Sequence, residues 1–473
     1  MAVERSDIRF VKSATVTDTT SNGGKMSYNY IQNRVKYNLF PRVTRPERVA
    51  GIIRYRKEYI WNREASGETA FGLLTYIILP SLADDLFRIA EATQDDTQGD
   101  IDDDYDWYGA GNLNAGASAG ASSINVNFED DDIALKNGVL LAINSHFLMS
   151  ENIDSAVKPF SQVYWNGSKW IAQNAPTEDA EDVYPYGTCI QVLGGGKGNI
   201  FSYNSAGNLE YHRIDDPTYT ENMTPAPTGG VVAYTLVAAN TPVLEESVSV
   251  EYCFSSVMHT ATDDGEGHIT GSHIVSGAVV YSTGNMNITF STNPDPSTQI
   301  AVTYHENIVS WAGTVATVQL EDTLLNNFLS ANTKVGMCLE LGDLAPIVEL
   351  ISEAFGDPSG DFDESLVTGT NKGSIEETWT LQFTSVNAFT VTGAGVGVIG
   401  SGSKTVTYSP LNSGQGAAYF SIPATAWSGT TQAGDTVIFK TYPAAAPIWW
   451  KEIVPSSTNA FSNNVVMLEI YVE

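Results

Sequence analysis

A chain of 473 residues exceeds what one compact core serves well and implies about two to four domains. Hydrophobic residues make up 42%, aromatic residues 10% and charged residues only 17%, so ordinary cores can form beneath a surface rich in Ser, Thr, Asn, Gly and Ala. A formal net charge of −31 argues against nucleic-acid or anionic-membrane binding by the bulk of the protein.

The charge is unevenly spread. Residues 1–63 carry 13 Lys and Arg against 5 Asp and Glu, and the rest of the chain carries 11 against 50. The sequence therefore reads as a basic arm on an acidic body. Its first segment, "MAVERSDIRF", is charged where a secretion signal needs an apolar core, and "FGLLTYIILP" from Phe71 is too short to span a bilayer. A soluble protein made in the cytoplasm, with no membrane partner, is the expectation. Cys189, Cys253 and Cys338 lie far apart without a CxxC pair, which suits free thiols in a reducing compartment.

From Ile8 to Val16 apolar and polar residues alternate, and Asn22-Gly23-Gly24 is a turn signal, so this segment predicts a strand and hairpin. Basic and aromatic residues then interleave. From Gly51 the set Ile52, Arg54, Arg56, Glu58 and Ile60 alternates with Ile53, Tyr55, Lys57, Tyr59 and Trp61, a strand with one aromatic face. Interleaved Arg and aromatic side chains can stack nucleic-acid bases, but the same residue types populate protein interfaces. The interface reading assigns Arg34, Arg42, Arg45, Arg48, Arg54, Tyr55, Arg56, Tyr59 and Trp61 to contact with a neighbouring copy. Removal of residues 1–63 is then expected to leave a folded monomer.

After Pro80, Leu82, Leu86, Ile89 and Ala90 fall at helical spacing. Between Asp84 and Asp106 there are ten acidic residues and one base, Arg88. Alternate aspartates raise the question of calcium. The run at Asp100, Asp102, Asp103, Asp104 and Asp106 lacks the later Glu and the placed glycine of an EF-hand loop, leaving a solvated loop or an acidic docking face for the basic arm of another subunit. Glu129 to Asp132 is read the same way.

Beyond a small-residue loop at 110–123, strand-length segments recur, and "VYWNGSKWIA" is a hairpin signal at Asn166-Gly167. Residues 320–357 stand apart, because Leu324, Leu325, Phe328 and Leu329, then Ile347, Leu350, Ile351 and Phe355, match a helical period. The predicted architecture is mainly β, with several Ig-like β-sandwich modules, a mixed α+β N-terminal anchoring region and a short helical insert. Its segments are an N-terminal arm and anchoring domain at 1–123, a β-rich domain at 124–255, a β-module with the insert at 256–372, and a C-terminal Ig-like sandwich at 373–473.

Chemistry-bearing motifs are sparse. No HExxH motif and no phosphate-loop pattern with its Lys-Ser/Thr pair occurs. His268 and His273 lie five apart, and zinc there would need ligands from elsewhere. Neither a metal, a cofactor nor a catalytic residue is assigned, although paired carboxylates for glycoside cleavage depend on spatial separation, which sequence does not specify.

Three stretches, "RSDIRFVKSATVTDTTSNGGKMS", "TQDDTQGD" and "AGDTVIFKTYPAAAPIWWKEIVP", resemble structural proteins of long-tailed bacteriophages, nearest to neck or collar proteins of contractile-tailed phages. "GAVVYSTGNMNITFS" is similar to β-modules of phage virion proteins. The resemblance implies a non-enzymatic virion component in a symmetric ring of identical subunits, touching head-tail connector and tail proteins, with fibre contact left open and no DNA contact expected. The alternative is a tail-fibre or spike protein whose Trp165, Trp170, Trp427, Trp449 and Trp450 grip host glycan. A third is a polysaccharide depolymerase.

Overall fold

A computed structural model describes residues 3–32, 37–81, 83–102, 105–150, 162–165, 170–173, 200–203, 207–296, 298–460 and 466–472. It is mainly β, with about 4% helix and 50% strand in many antiparallel sheets. The chain divides into two units, Met1–Ala110 with Cys338–Glu473, and Gly111–Met337.

In the first unit, five strands lie in the order Gly23–Tyr30, Ile8–Thr15, Ile52–Asn62, Ala445–Val454 and Leu86–Glu91. Alternation of side chains across a strand lets each face of this sheet be read from sequence. One face carries Arg54, Arg56, Glu58 and Ile60, with Glu452, Trp450 and Ile448 opposite them. It packs into a core with Leu73, Ile77, Leu339 and Leu344 from a second sheet ordered Leu339–Leu344, Ala70–Leu79 and Met467–Tyr471. The other face carries Tyr55, Lys57, Tyr59 and Trp61, opposite Lys451, Trp449, Pro447 and Ala445. Both faces of the central strands are therefore covered.

The same unit contains a third sheet, Ile347–Ala354, Thr436–Tyr442, Glu377–Phe383, Ala388–Gly393 and Gly397–Ser403. Its core is aromatic: Trp379, Phe383, Phe389, Phe420, Trp427 and Phe439 are all buried there. Edge-to-face rings, such as Phe383 against Trp427 at 5.2 Å and 89°, add specific geometry to the area they bury.

The second unit holds a seven-stranded sheet ordered Leu209–Arg213, Leu140–Asn144, Lys334–Met337, Ala110–Leu113, Ser123–Asn127, Val315–Gln319 and Ser310–Ala312. It also holds five strands, Thr218–Asn222, Ala301–His305, Ser249–Phe254, Val257–Asp263 and Ile269–Thr270, and three more, Ala233–Val237, Asn285–Phe290 and Ile274–Val280. These two sheets share one core, with Tyr252, Val302 and Tyr304 from the first and Tyr234, Met286 and Ile288 from the second. Two short antiparallel pairs complete the described strands of this unit, Gln162–Trp165 with Trp170–Gln173 and Ile200–Tyr203 with Phe147–Ser150. The Asn166-Gly167 turn expected between the first pair lies outside the described residues.

The N-terminal strand and hairpin form as expected, with Ile8–Thr15 paired to Gly23–Tyr30. The helical insert does not. Within 320–357 the chain forms the strands Lys334–Met337, Leu339–Leu344 and Ile347–Ala354, and the residues around Leu324 and Phe328 are irregular. In Ile347–Ala354, Ile347 and Ile351 are exposed while Val348 and Leu350 pack against the aromatic core. A period of two was masked by apolar residues at both parities, and pairing with Thr436–Tyr442 settles it. The helix expected near Leu86, Ile89 and Ala90 is likewise a strand, Leu86–Glu91, on the edge of the five-stranded sheet; Leu82 lies outside the described residues. Among the described residues the α-helix is Arg45–Ala50, six residues long, so the anchoring region is almost wholly β rather than mixed.

Residues 1–63 are thus no detachable arm. Strand Ile52–Asn62 is the middle of its sheet, and deleting 1–63 is expected to unfold the first unit, read as lost near-UV circular dichroism and exposed apolar surface, rather than to release a folded monomer. A finer check uses the turn glycines. A Cβ on Gly23, φ +109°, would stand 2.7 Å from Trp449 Cη2 and 2.9 Å from the Asp96 carbonyl oxygen, whereas one on Gly24, φ +73°, would meet open space. Gly23→Ala is expected to cost about 2 kcal/mol or more, and Gly24→Ala about 1 kcal/mol from backbone conformation alone, as measured by denaturant titration of each variant.

Candidate functional site

The charged residues that stand out in the first 63 positions converge on the central strand pair. Arg54 is buried and donates to Glu452 Oε2 at 3.1 Å and to Glu47. Arg56, also buried, donates to Asp18 Oδ1 at 2.7 Å and to the Thr17 carbonyl at 3.0 Å, and its guanidinium lies 5.6 Å from the Phe40 ring. On the opposite face the Lys57 ammonium contacts Asp96 Oδ1 at 2.5 Å and donates to the carbonyls of Gly24 at 3.0 Å and Asp96 at 3.1 Å. Asp96 Oδ2 accepts from the Trp449 indole at 2.7 Å and the Tyr105 hydroxyl at 3.0 Å. Each buried charge has a partner, as burial demands.

Electrostatics follow from this burial. Desolvation pushes Glu58 up to about 7, with the Trp450 indole N–H, 2.7 Å away, offsetting only part of the rise. Glu452 is also raised to about 7 by burial, against the pull of Arg54. Burial lowers the Lys57 pKa, opposed by Asp96. For Glu47 burial is outweighed by hydrogen bonds from Thr44 and Arg54, which hold it down at about 2.

The structure sorts the proposed interface residues into three groups. Arg54, Arg56, Tyr59 and Trp61 are buried inside the chain, and Trp61 Nε1 donates to the Asn371 carbonyl at 2.8 Å. These four side chains meet partners within the protein, so the neighbour-binding role read from sequence does not apply to them. Tyr55 is half-buried against Trp107, and Arg48 is half-buried, donating to the Val43 carbonyl at 3.1 Å. Arg42 and Arg45 are exposed. Arg34 lies outside the described residues.

Of the acidic face, Asp100, Asp102 and Asp106 are exposed, and Asp103 and Asp104 lie outside the described residues. Asp100 accepts from the Thr97 N–H at 2.7 Å and the Thr97 hydroxyl at 2.9 Å, bonds that lower its pKa. It closes the turn before the loop.

Sequence spacing missed the partners Glu47, Glu452, Asp18 and Asp96. Separations as large as 398 residues leave no local signal, although Lys451 and Glu452 between Trp450 and Ile453 are charges set in an otherwise apolar strand. Trp427, Trp449 and Trp450 are buried in cores rather than arrayed on a surface. His268 and His273 have separate neighbours. His268 Nδ1 lies 2.9 Å from Asp264 Oδ2, and Asp264, Glu266 and His268 each place a ligand-type atom within 4.8 Å of the others. His273 stacks on Phe254 at 4.4 Å.

No family model matches the chain, and no curated protein or solved structure matches it significantly.

The raised Glu58 and lowered Glu47 pull stability in opposite directions along the pH scale. Neutral Glu58 contributes stability that is complete below the ordinary value of 4.5 and is lost as pH rises through about 7. Ionised Glu47 contributes stability present above 4.5 and lost as pH falls towards 2. Chemical denaturation should show the first unit losing on the order of 2–3 kcal/mol between pH 5 and pH 8 for each of the two raised groups, Glu58 and Glu452, and Glu58→Gln should remove about half of that loss while leaving the acid limb in place.

Proposed function

We propose that the chain is a non-enzymatic structural component of a bacteriophage particle, built of Ig-like β-sandwich modules and assembled as a ring of identical copies at the head-tail neck or collar. The observation that carries this reading is the pairing of Ile52–Asn62 with Ala445–Val454, which ties residues near both ends of the sequence into one sheet covered on both faces. A subunit bearing load between head and tail is served by distant segments held together through many backbone hydrogen bonds in register, and this pairing supplies them. Supporting it further, Arg54, Arg56 and Lys57 of the sheet interior are held by carboxylates of the same chain, and the segments that resemble virion proteins include Ala445–Val454 and the strand Ile8–Thr15 that pairs with Ile52–Asn62. Exposed Arg42 and Arg45, and elsewhere in the sequence exposed Asp100, Asp102 and Asp106, give the same chain surface charges of both signs, which suits a head-to-tail contact between two different patches.

The expected result is that purified full-length chain shows a multimeric mass by sedimentation velocity at high concentration and low salt, and that peptides from it are found in purified mature particles. A solitary chain under those conditions, together with absence from particles, overturns the reading.

A further inference from the structure

We propose that residues 41–50, together with Ile53, form a docking surface for the carboxylate-rich module of a second copy of this chain, received at its loops around Glu245–Glu246 and Asp263–Glu266. The inference rests on the reading of the chain as a self-assembling structural component and names the surfaces that would join.

The donor surface is unusual in how it is held. Helix Arg45–Ala50 has no buried residue, and a helix this short does not persist in water by itself. Polar ties order it. Thr44 and Glu47 form a capping box, the Gly51 N–H donates to the Glu47 carbonyl at 2.8 Å, and Glu47 is gripped by the buried Arg54, which Glu452 holds from the other side. The Thr458 N–H adds a bond to the Arg48 carbonyl at 3.1 Å. The result is a preordered knob whose apolar side chains face solvent, Val49 at 64% and Ile53 at 53% exposure. Arg45 and Val49, four apart, share a helix face. Arg42 and Arg45 have no partner among the described residues, and the only carboxylate of the segment, Glu47, is already engaged by Arg54. Arginine is enriched at protein interfaces, and exposed aliphatic side chains beside it gain from being covered.

The acceptor is argued from charge. Residues 214–333 carry 13 Asp and Glu and not one Lys or Arg. Part of that charge gathers on two adjacent loops. The Glu246 N–H donates to Asp263 Oδ2 at 2.8 Å, and Glu246 Cγ stands 2.9 Å from where a Gly265 Cβ would be. Glu245, Glu246, Asp264 and Glu266 are exposed there. A surface with no Lys or Arg of its own attracts a basic one from outside, and two different patches meeting across copies make a heterologous contact.

The test is a charge swap in the full chain, read by sedimentation velocity at low salt and at about 1 M NaCl. Arg42→Glu with Arg45→Glu is expected to weaken association about tenfold or more, and Glu245→Lys with Glu246→Lys to do the same. Combining all four should restore the multimer. All four positions are exposed, and unchanged circular dichroism verifies folding. If the Arg42→Glu, Arg45→Glu variant keeps the wild-type mass, the docking surface is wrong while the structural reading survives. If wild type is monomeric throughout and absent from particles, that reading itself fails. Binding of a random-sequence DNA duplex that depends on Arg42 and Arg45, with the multimer unaffected, would reassign the knob to nucleic acid.

Discussion

One antiparallel pairing organises the first unit. Ile52–Asn62 and Ala445–Val454 run side by side in unbroken register from Ile52 opposite Val454 to Trp61 opposite Ala445. A pairing of this sequence separation closes a very long loop, and its entropic cost is set against every contact made on the two strands. The Arg54–Glu452 ion pair sits inside it. Such a pair is weak evidence for stability, since an apolar replacement often serves as well, but breaking it leaves a bare charge in a core. Its physical effect is on register, because a slip of one residue would set each charge on the wrong face.

That pairing explains why so polar a strand can be buried. Arg54, Arg56, Lys57 and Glu58 occupy consecutive or alternate positions in Ile52–Asn62, and each finds a partner from a distant segment: Glu452, Asp18, Asp96 and Trp450. The ions lie on both faces, so neither face of this sheet is a plain hydrophobic layer. Tyr59, Trp61, Trp449 and Trp450 supply the apolar area, and the Lys57 ammonium lies 5.2 Å from the Tyr59 ring and 5.8 Å from the Trp449 ring, where cation–π attraction offsets part of its desolvation.

The surface inherits what the interior leaves. Of the bases concentrated in residues 1–63, three are buried in this strand, and Lys25 reaches the buried Glu376 at 3.8 Å, a carboxylate it shares with Lys440 at 3.0 Å. Among the described residues, Arg42 and Arg45 at helix Arg45–Ala50 are left exposed. The acidic excess is left exposed over much of the remaining chain. An arrangement of this kind discourages unspecific self-association through like charge while leaving a small patch of opposite sign.

Alternation of apolar and polar residues was enough to identify the mainly β class, the N-terminal hairpin at Asn22-Gly23-Gly24, and the aromatic face of Tyr55, Tyr59 and Trp61, because strand period is a local property of the chain. The same local reasoning failed at Ile347–Ala354 and Leu86–Glu91, where short apolar runs satisfy helical and strand periods alike and only the neighbouring strand arbitrates. Composition located the basic and acidic blocks but could not tell a side chain facing solvent from one facing a core. That distinction for Arg54, Arg56 and Lys57 belongs to tertiary structure, since the carboxylates that make their burial tolerable come from positions as far away as Glu452, and coulombic partners brought together by folding leave no trace in sequence spacing.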